Sequence, residues 1–198
     1  MPRRSYDHYC TVSRALDIVG DRWNLLVVRE LCSGPRRYSD LFADLPGIST
    51  DVLAARLKDL ERDGILTKRR VGPRAGTAVY ELTDSGAALR PVLDSLSVWG
   101  AGQLGEQRAT DAVRAHWFAL PLGHAVAELV STGTVTVRIG DTALHYVITE
   151  TGLTHHDGPA AAPDLDIRLD LATAREIATG TTSLATALEA AGTGQPVA

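Results

Sequence analysis

The feature that most constrains the fold is the stretch of residues 47–70, GISTDVLAARLKDLERDGILTKRR. Ser49 or Thr50 can cap a helix here, because a hydroxyl oxygen accepts a hydrogen bond from an N–H group that the first helical turn leaves unpaired. The apolar residues that follow recur at helical spacing and form one stripe: Leu53, Leu57 and Leu60. Gly64 suits the left-handed residue that ends a helix. The stretch predicts an amphipathic helix with a polar first turn, followed at once by a basic strand.

The residues before this helix predict further short helices that pack against it. The first helix covers residues 11–19. Asp21 can cap the second, which runs through residue 31. Ser39 is a good N-cap for a third, SDLFADL, which a Pro-Gly turn ends. Two short helices joined by a tight turn have helix-turn-helix geometry, and a hairpin of strands 66–71 and 78–82 adds a wing. Taken alone, the pattern of residues 47–70 would favour an ordinary amphipathic surface helix.

Charge is divided unevenly along the chain of 198 residues. Residues 1–75 hold fourteen Lys and Arg against ten Asp and Glu, whereas residues 76–198 hold six against fourteen. The basic half suggests a surface that binds a polyanion, and the acidic half suggests a separate role. With 44% hydrophobic residues, the composition is that of a soluble globular protein with room for two modules. No apolar run approaches the roughly 20 residues that span a bilayer, and no secretory signal is evident, so we expect a cytoplasmic protein without a membrane partner.

Several motifs occur in the order and spacing of one known family. They are Cys10 before a helix, ALDIVGDRWNLLVVREL, SGPRRYSDL, LPGIST, VLAARLKDLERDGIL, YELTDSG and LRPVLDSLSVWG. Over residues 8–100 the chain resembles the HxlR family of bacterial winged-helix transcription regulators. This resemblance implies a homodimer that binds double-stranded DNA. The wing tip, GPRAGTAVYELT, lacks the proline-rich form of the family.

The second half of the chain predicts another module. Three stretches alternate with a period of two, as strands with one buried face do: residues 135–139, 144–149 and 165–171. A capping box of Thr173 and Glu176 predicts a helix that stops at Gly180, and a helix of small residues follows. The strand PDLDIRLD and the helix ATAREIATG resemble those of sterol carrier protein-type domains. That resemblance implies a small apolar ligand held between sheet and helices.

The predicted fold class is therefore α+β, with an antiparallel sheet covered by helices in the second module. We expect a winged helix-turn-helix domain for DNA binding and dimerisation over residues 1–106, and a sterol carrier-like ligand-binding domain over residues 107–198.

Eleven residues are candidates for contact with DNA: Arg36, Arg37, Ser39, Ser49, Thr50, Val52, Arg56, Lys58, Arg69, Arg70 and Arg74. Arg36 and Arg37 precede the predicted cap, where guanidinium groups and helix N–H donors together favour phosphate; a solvated surface pair is the alternative. Side chains in the first turn of a reading helix reach base edges. Arg56, one turn later, could bind guanine or phosphate, or pair with an acidic residue. The wing cations fit contacts to the DNA backbone, with alternate positions pointing away.

Cys10 is the candidate for redox sensing, because it matches the position of the cysteine that serves some members of the resembled family as a thiol sensor. A reactive thiol needs a lowered pKa, and the alternative is a cysteine kept for packing near a dimer interface. Cys32 is expected to be a buried core residue. His155-His156-Asp157 fits a polar turn better than a metal site, because adjacent residues rarely give convergent ligands.

The sequence thus predicts a sequence-specific DNA-binding transcription regulator, controlled by a small apolar ligand, by thiol oxidation, or by both. The alternative is a carrier of lipid or other small molecules that uses the winged helix only for dimerisation. We find no nucleophile–base pair, phosphate loop or metal cluster in the sequence pattern, so we expect no enzyme, no cofactor and no metal.

Overall fold

The structure is a computed structural model that describes residues 5–72 and 76–191. The chain divides into two compact units, Met1–Leu93 and Asp94–Ala198. Both units combine helices with a sheet, which confirms the predicted α+β fold class. The division lies in the neighbourhood of the boundary expected after residue 106, and the extents of the two functional domains stay a prediction. Within the described residues, each helix falls short of the length or the apolar character that a membrane crossing requires.

Four helices precede the wing in the first unit: α1 Thr11–Val19, α2 Asn24–Leu31, α3 Tyr38–Asp44 and α4 Thr50–Arg62. The predicted start and stop of α4 are confirmed. The Ser49 hydroxyl accepts a hydrogen bond from the N–H of Val52 at 3.3 Å, and Gly64 has a φ of +72°. The cap predicted for α2 is wrong, because its N-cap residue is Trp23 and not Asp21.

The wing is a three-stranded antiparallel sheet in the order β1-β3-β2, with β1 Arg36–Arg37, β2 Leu66–Val71 and β3 Thr77–Leu82. The hairpin pairs from Leu66 opposite Leu82 to Val71 opposite Thr77, which confirms the predicted strands. Residues 73–75, between these strands, lie outside the described residues.

After the wing, Thr83 caps a short helix, α5 Asp84–Ala87, by accepting a hydrogen bond from the N–H of Gly86 at 3.1 Å. A separate helix follows, α6 Arg90–Ala101. α6 carries an apolar face at spacings of four and three: Val92, Leu96 and Trp99.

The core of the first unit is built from the apolar stripes of its helices and the ends of the wing strands. Its buried residues include Val27, Val28, Leu31, Leu41, Leu45, Leu53, Leu57, Leu60, Ile65 and Leu66. The three leucines of α4 are 2% exposed or less, so they anchor that helix and leave its opposite side in solvent.

The second unit has a four-stranded sheet in the order β6-β5-β4-β7, with β4 Gly133–Ile139, β5 Thr142–Thr149, β6 Gly152–Asp157 and β7 Leu165–Leu169. Three of these strands were predicted. β6 was not, because His155-His156 was predicted to form a polar turn. That prediction is wrong, since His155 lies in a strand, is 4% exposed and faces the core side of the sheet. β7 pairs with β4 in the parallel sense, so the sheet is mixed rather than fully antiparallel.

Helices cover one face of this sheet: α7 Ala119–Leu129, α8 Leu171–Ala178 and α9 Leu184–Ala190. A 3-10 turn over Ala115–Phe118 leads into α7. The capping box predicted at Thr173 is wrong, since Asp170 is the N-cap of α8 and accepts a hydrogen bond from the Thr173 N–H at 2.7 Å. The helix closes near Gly180, whose φ is +73°, as predicted.

α7 approaches the sheet closely. The buried hydroxyl of Tyr146 donates a hydrogen bond to the Ala119 carbonyl oxygen at 2.9 Å, and burial raises the pKa of that hydroxyl. A Cβ atom on Gly123 would lie 3.3 Å from Leu153, so this position suits glycine. The layer between sheet and helices is filled by side chains, among them Leu122, Val126, Val135, Val137, Leu144, Ile167, Ile177 and Leu184.

A cleft of about 360 Å³ opens at one end of this layer. Ile139 and Leu169 are buried in its floor, and Leu171 is 44% exposed at its rim. Binding of the apolar ligand predicted between sheet and helices stays a prediction.

Candidate nucleic-acid interface

The start of α4 presents a short polar surface to solvent. Thr50, Asp51 and Val52 are exposed, while the Ser49 hydroxyl is engaged as the N-cap. Asp51 lies in the first turn, where a carboxylate complements the positive end of the helix. The Ser49 cap therefore holds the backbone of the first turn, and the side chains of Thr50 and Val52 are left exposed to solvent.

α3 holds this first turn in place. The Tyr38 hydroxyl donates a hydrogen bond to the carbonyl oxygen of Thr50 at 2.9 Å. The ring of Tyr38 stacks on Phe42, with 6.5 Å between the ring centroids and 6° between their planes. Sequence reasoning did not find this contact, and its only signal was a tyrosine at the start of a short helix. It fixes the helix-turn-helix pair at its open end.

The two arginines before α3 have different surroundings. The side chain of Arg36 is 16% exposed, donates to the carbonyl oxygen of Glu30 at 3.3 Å and lies 3.9 Å from the carboxylate of Asp44. Arg37 is exposed and occupies the N-cap position of α3. Of this pair, Arg37 is therefore the one whose side chain is free of the fold's interior and exposed to solvent.

The predicted cap at Ser39 is wrong. The N-cap of α3 lies two residues earlier, at Arg37, whose N–H donates a hydrogen bond to the carboxylate of Asp40 at 3.2 Å. Ser39 lies inside the first turn, is exposed, and donates to Asp40 at 3.2 Å. Its contact with DNA stays a prediction.

The second turn of α4 contains Arg56 and Lys58. Lys58 is exposed, as a DNA-binding lysine must be. The Arg56 side chain is 21% exposed and pairs with the carboxylates of Asp21 and Asp59. Of the alternatives that the sequence left open for Arg56, pairing with acidic residues is the one found in the structure.

The wing places its cations on different sides of the hairpin. Arg69 makes two hydrogen bonds to the Glu81 carboxylate, at 2.8 and 2.9 Å. These bonds lower the pKa of Glu81, and the charge of Arg69 adds to the effect. The ammonium of Lys68 lies 5.5 Å from the centroid of the Tyr80 ring. Arg70 is exposed, and Arg74 lies outside the described residues.

Cys10 is exposed and occupies the N-cap position of α1, whereas Cys32 is buried, as predicted. Hydrogen bonds from the backbone N–H groups of Ser13 and Val12, with the Ser13 hydroxyl, lower the pKa of the Cys10 thiol. Arg3 and Arg4, whose charge could also favour a thiolate at Cys10, lie outside the described residues.

α1 and α6 each expose several large apolar residues. On α1, Val12 is 64% exposed and Leu16 is 43% exposed. On α6, Val92 and Leu96 are exposed by 45% and 44%, and Trp99 by 70%. Groups of exposed large apolar residues are typical of surfaces that contact another molecule.

A helix-turn-helix with a capped, exposed reading helix and a basic wing defines a winged-helix DNA-binding unit. The model of the HxlR-like helix-turn-helix family matches residues 18–108. The chain is 44% identical over 87 residues to YvaP, an uncharacterized HTH-type transcriptional regulator of Bacillus subtilis, covering 43% of this chain and 80% of YvaP. It is 38% identical to the uncharacterized HTH-type transcriptional regulator sll1512 of Synechocystis, covering 50% of this chain and 74% of sll1512.

Among solved structures, the quinone-bound YodB of Bacillus subtilis is 34% identical, with a TM-score of 0.40, and the match covers 47% of this chain and 97% of YodB. The matches in sequence show that the chain belongs to the HxlR-like helix-turn-helix family. Family members are DNA-binding transcriptional regulators and not enzymes, and they are typically dimeric.

Proposed function

We propose that this protein reads a specific DNA sequence through the first turn of α4, in the major groove of the duplex. The observation that carries this proposal is the exposure of Thr50 and Val52 on a helix start that Ser49 caps and Tyr38 holds. Side chains at the start of such a helix reach base edges, and a rigid backbone keeps them in one register. Thr50 and Val52 are the proposed base-reading residues.

The proposed phosphate contacts flank this helix. Arg37 and Ser39 lie at the start of α3, and Lys58, Arg70 and Arg74 supply positive charge from α4 and the wing. Arg36 and Arg69 are weaker candidates, because carboxylates already neutralise them. Contacts of this kind position a protein on DNA without selecting a sequence.

We propose a homodimer that presents two reading helices to the half-sites of a pseudo-palindrome. The exposed apolar residues of α1 and α6 support it, because a second copy would bury them. Residues 1–106 would then be the DNA-binding and dimerisation domain.

Control of DNA binding by thiol oxidation is supported by Cys10. Its thiol is exposed and has a lowered pKa, so a larger fraction is thiolate at neutral pH. The residue also begins α1, one of the two proposed dimer helices. Residues 107–198 are the proposed ligand-binding domain, with the cleft at Ile139, Leu169 and Leu171 as its entrance. The relatives named above are bacterial, and a bacterial chromosome lies in the cytoplasm, so we place the protein there.

Selection of bound sequences from a random duplex library tests the proposal. We expect one enriched motif with two inverted half-sites about one helical turn apart. Thr50→Ala and Val52→Ala should change the enriched bases at one position in each half-site. A pool with no enriched motif, or the same motif for both variants, would show that the first turn of α4 does not read sequence.

A further inference from the structure

The turn between α1 and α2 touches the reading helix region at two places. The carboxylate of Asp21 accepts a hydrogen bond from Nη1 of Arg56, in the second turn of α4. The ring of Trp23 lies against the turn that precedes α4, where a Cβ atom on Gly47 would be 4.0 Å away from it. A hydrogen bond of 3.0 Å from the Asn24 N–H to the Asp21 carbonyl oxygen closes the α1–α2 turn itself. A short, internally bonded turn thus holds α4 from outside the helix-turn-helix pair.

Both terminal nitrogens of the Arg56 guanidinium bond to carboxylates. Nη1 donates to Asp21, and Nη2 donates to Asp59 at 2.9 Å. The Nε atom is buried and has no hydrogen-bond partner within the described residues. Bidentate binding of guanine would need two N–H groups of Arg56 aimed into the groove, and each terminal nitrogen already uses one of its donors on a carboxylate.

The other ion pairs of α4 lie within the helix or at its end. Arg62 bonds to Asp59 at 2.8 Å and to Asp63 at 3.2 Å. These pairs, like the one between Arg56 and Asp59, join residues three or fewer positions apart. They can stiffen α4, but they cannot fix its direction relative to another element. The Asp21–Arg56 pair, by contrast, joins α4 to the α1–α2 turn across 35 residues of chain.

We propose that Arg56 is a positioning residue: its pair with Asp21 fixes α4 on the α1–α2 turn and so sets how the first turn of α4 enters the groove. The proposal rests on α4 being the reading helix, as proposed above. It removes Arg56 from the base-reading set and gives Asp21 a role that its charge would otherwise oppose, because a carboxylate near DNA repels phosphate.

Because of this repulsion, the two roles of Asp21 predict opposite changes in DNA affinity when its charge is removed. If Asp21 competed with DNA for Arg56, its neutralisation would strengthen DNA binding. If the pair positions α4, its neutralisation weakens binding, although the protein has gained a unit of positive charge. Asp59→Asn is the matched control, since it makes the same charge change and removes the other partner of Arg56 without cutting the link across the fold.

The experiment compares full-length wild type, Asp21→Asn, Arg56→Gln, the double variant and Asp59→Asn in fluorescence anisotropy titrations with one selected duplex. We expect Asp21→Asn and Arg56→Gln each to raise Kd about fivefold, and the double variant to match the single ones, since one contact is lost in all three. Asp59→Asn should bind as tightly as wild type or more tightly. The motif selected by Arg56→Gln should have the wild-type bases.

Hydrogen exchange gives a second readout that needs no DNA. Amides in residues 47–62 should exchange faster in Asp21→Asn than in Asp59→Asn, because the outer link holds α4. Tighter DNA binding by Asp21→Asn, or a changed motif with Arg56→Gln, would overturn the proposal and make Arg56 a DNA contact. Unchanged exchange in Asp21→Asn would overturn it as well. Failure of the reading-helix proposal looks different: wild type would select no motif, whereas the exchange rates would still report on the link.

Discussion

Removal of the N-cap at Ser49 should destabilise the first unit by a measurable and limited amount. The lost interaction is the hydrogen bond from the Val52 N–H to the Ser49 hydroxyl, and at 3.3 Å it is a long one. Loss of a Ser cap to Ala costs about 0.5–2 kcal/mol, and the long bond places Ser49→Ala in the lower half of that range. For a unit of this size we expect Tm to fall by about 3–6 °C.

Circular dichroism with urea or heat measures this loss, and the chain offers a matched control. Ser183 caps α9 in the second unit in the same way, accepting from the Thr186 N–H at 3.0 Å. Ser183→Ala should cost a similar free energy of unfolding and leave DNA affinity unchanged. Ser49→Asp should restore the stability lost in Ser49→Ala, because a carboxylate caps and also complements the helix dipole, yet it should weaken DNA binding. A Ser49→Ala protein as stable as wild type would refute the reasoning from the cap.

Three further predictions concern single contacts. The Cys10 thiol should react with iodoacetamide at lower pH than the thiol of an unstructured cysteine peptide, because its lowered pKa keeps thiolate present at lower pH. The same pH dependence of the reaction rate for the protein and the peptide would contradict this. Arg69 lowers the pKa of Glu81, so the stability that this pair contributes should be present above the ordinary carboxyl pKa and be lost as pH falls through the Glu81 pKa of the folded protein. Arg69→Ala should raise the Glu81 pKa measured by NMR. An unchanged Glu81 titration would rule out the bond in solution. Tyr146→Phe should destabilise the second unit by about 1 kcal/mol in urea denaturation, without affecting DNA affinity, and equal stability would mean that the buried hydroxyl does not bond to α7.

The sequence was sufficient for elements whose pattern is local. The leucine stripe and Ser49 cap of α4 predicted that helix and its buried face, because periodicity and capping act within one or two turns. The paired strands of the wing followed from the Gly-rich tip between two β-rich runs.

The sequence failed where residues distant in the chain, or competing neighbours, decide the outcome. Ser39 was predicted as the N-cap of α3, but Asp40 accepts a hydrogen bond from the Arg37 N–H, and the N-cap lies two residues earlier, at Arg37. β6 was missed because His155 reads as polar, and only its pairing opposite Tyr146 on β5 makes it a buried strand residue. The link between Asp21 and Arg56 had no local signal, since it joins two elements through the tertiary fold.

The most direct test of the central claim is the salt dependence of binding to a selected duplex, measured for wild type and two arginine variants. Arg37→Ala removes the exposed arginine proposed to meet phosphate, and Arg108→Ala removes an exposed arginine of the second unit that pairs with Asp111. We expect log Kd to vary steeply with the logarithm of the salt concentration. Arg37→Ala should lower the slope of this dependence by about one, and Arg108→Ala should leave the slope unchanged. Binding that ignores salt, or equal slopes for wild type and Arg37→Ala, would contradict the assignment of this face to DNA.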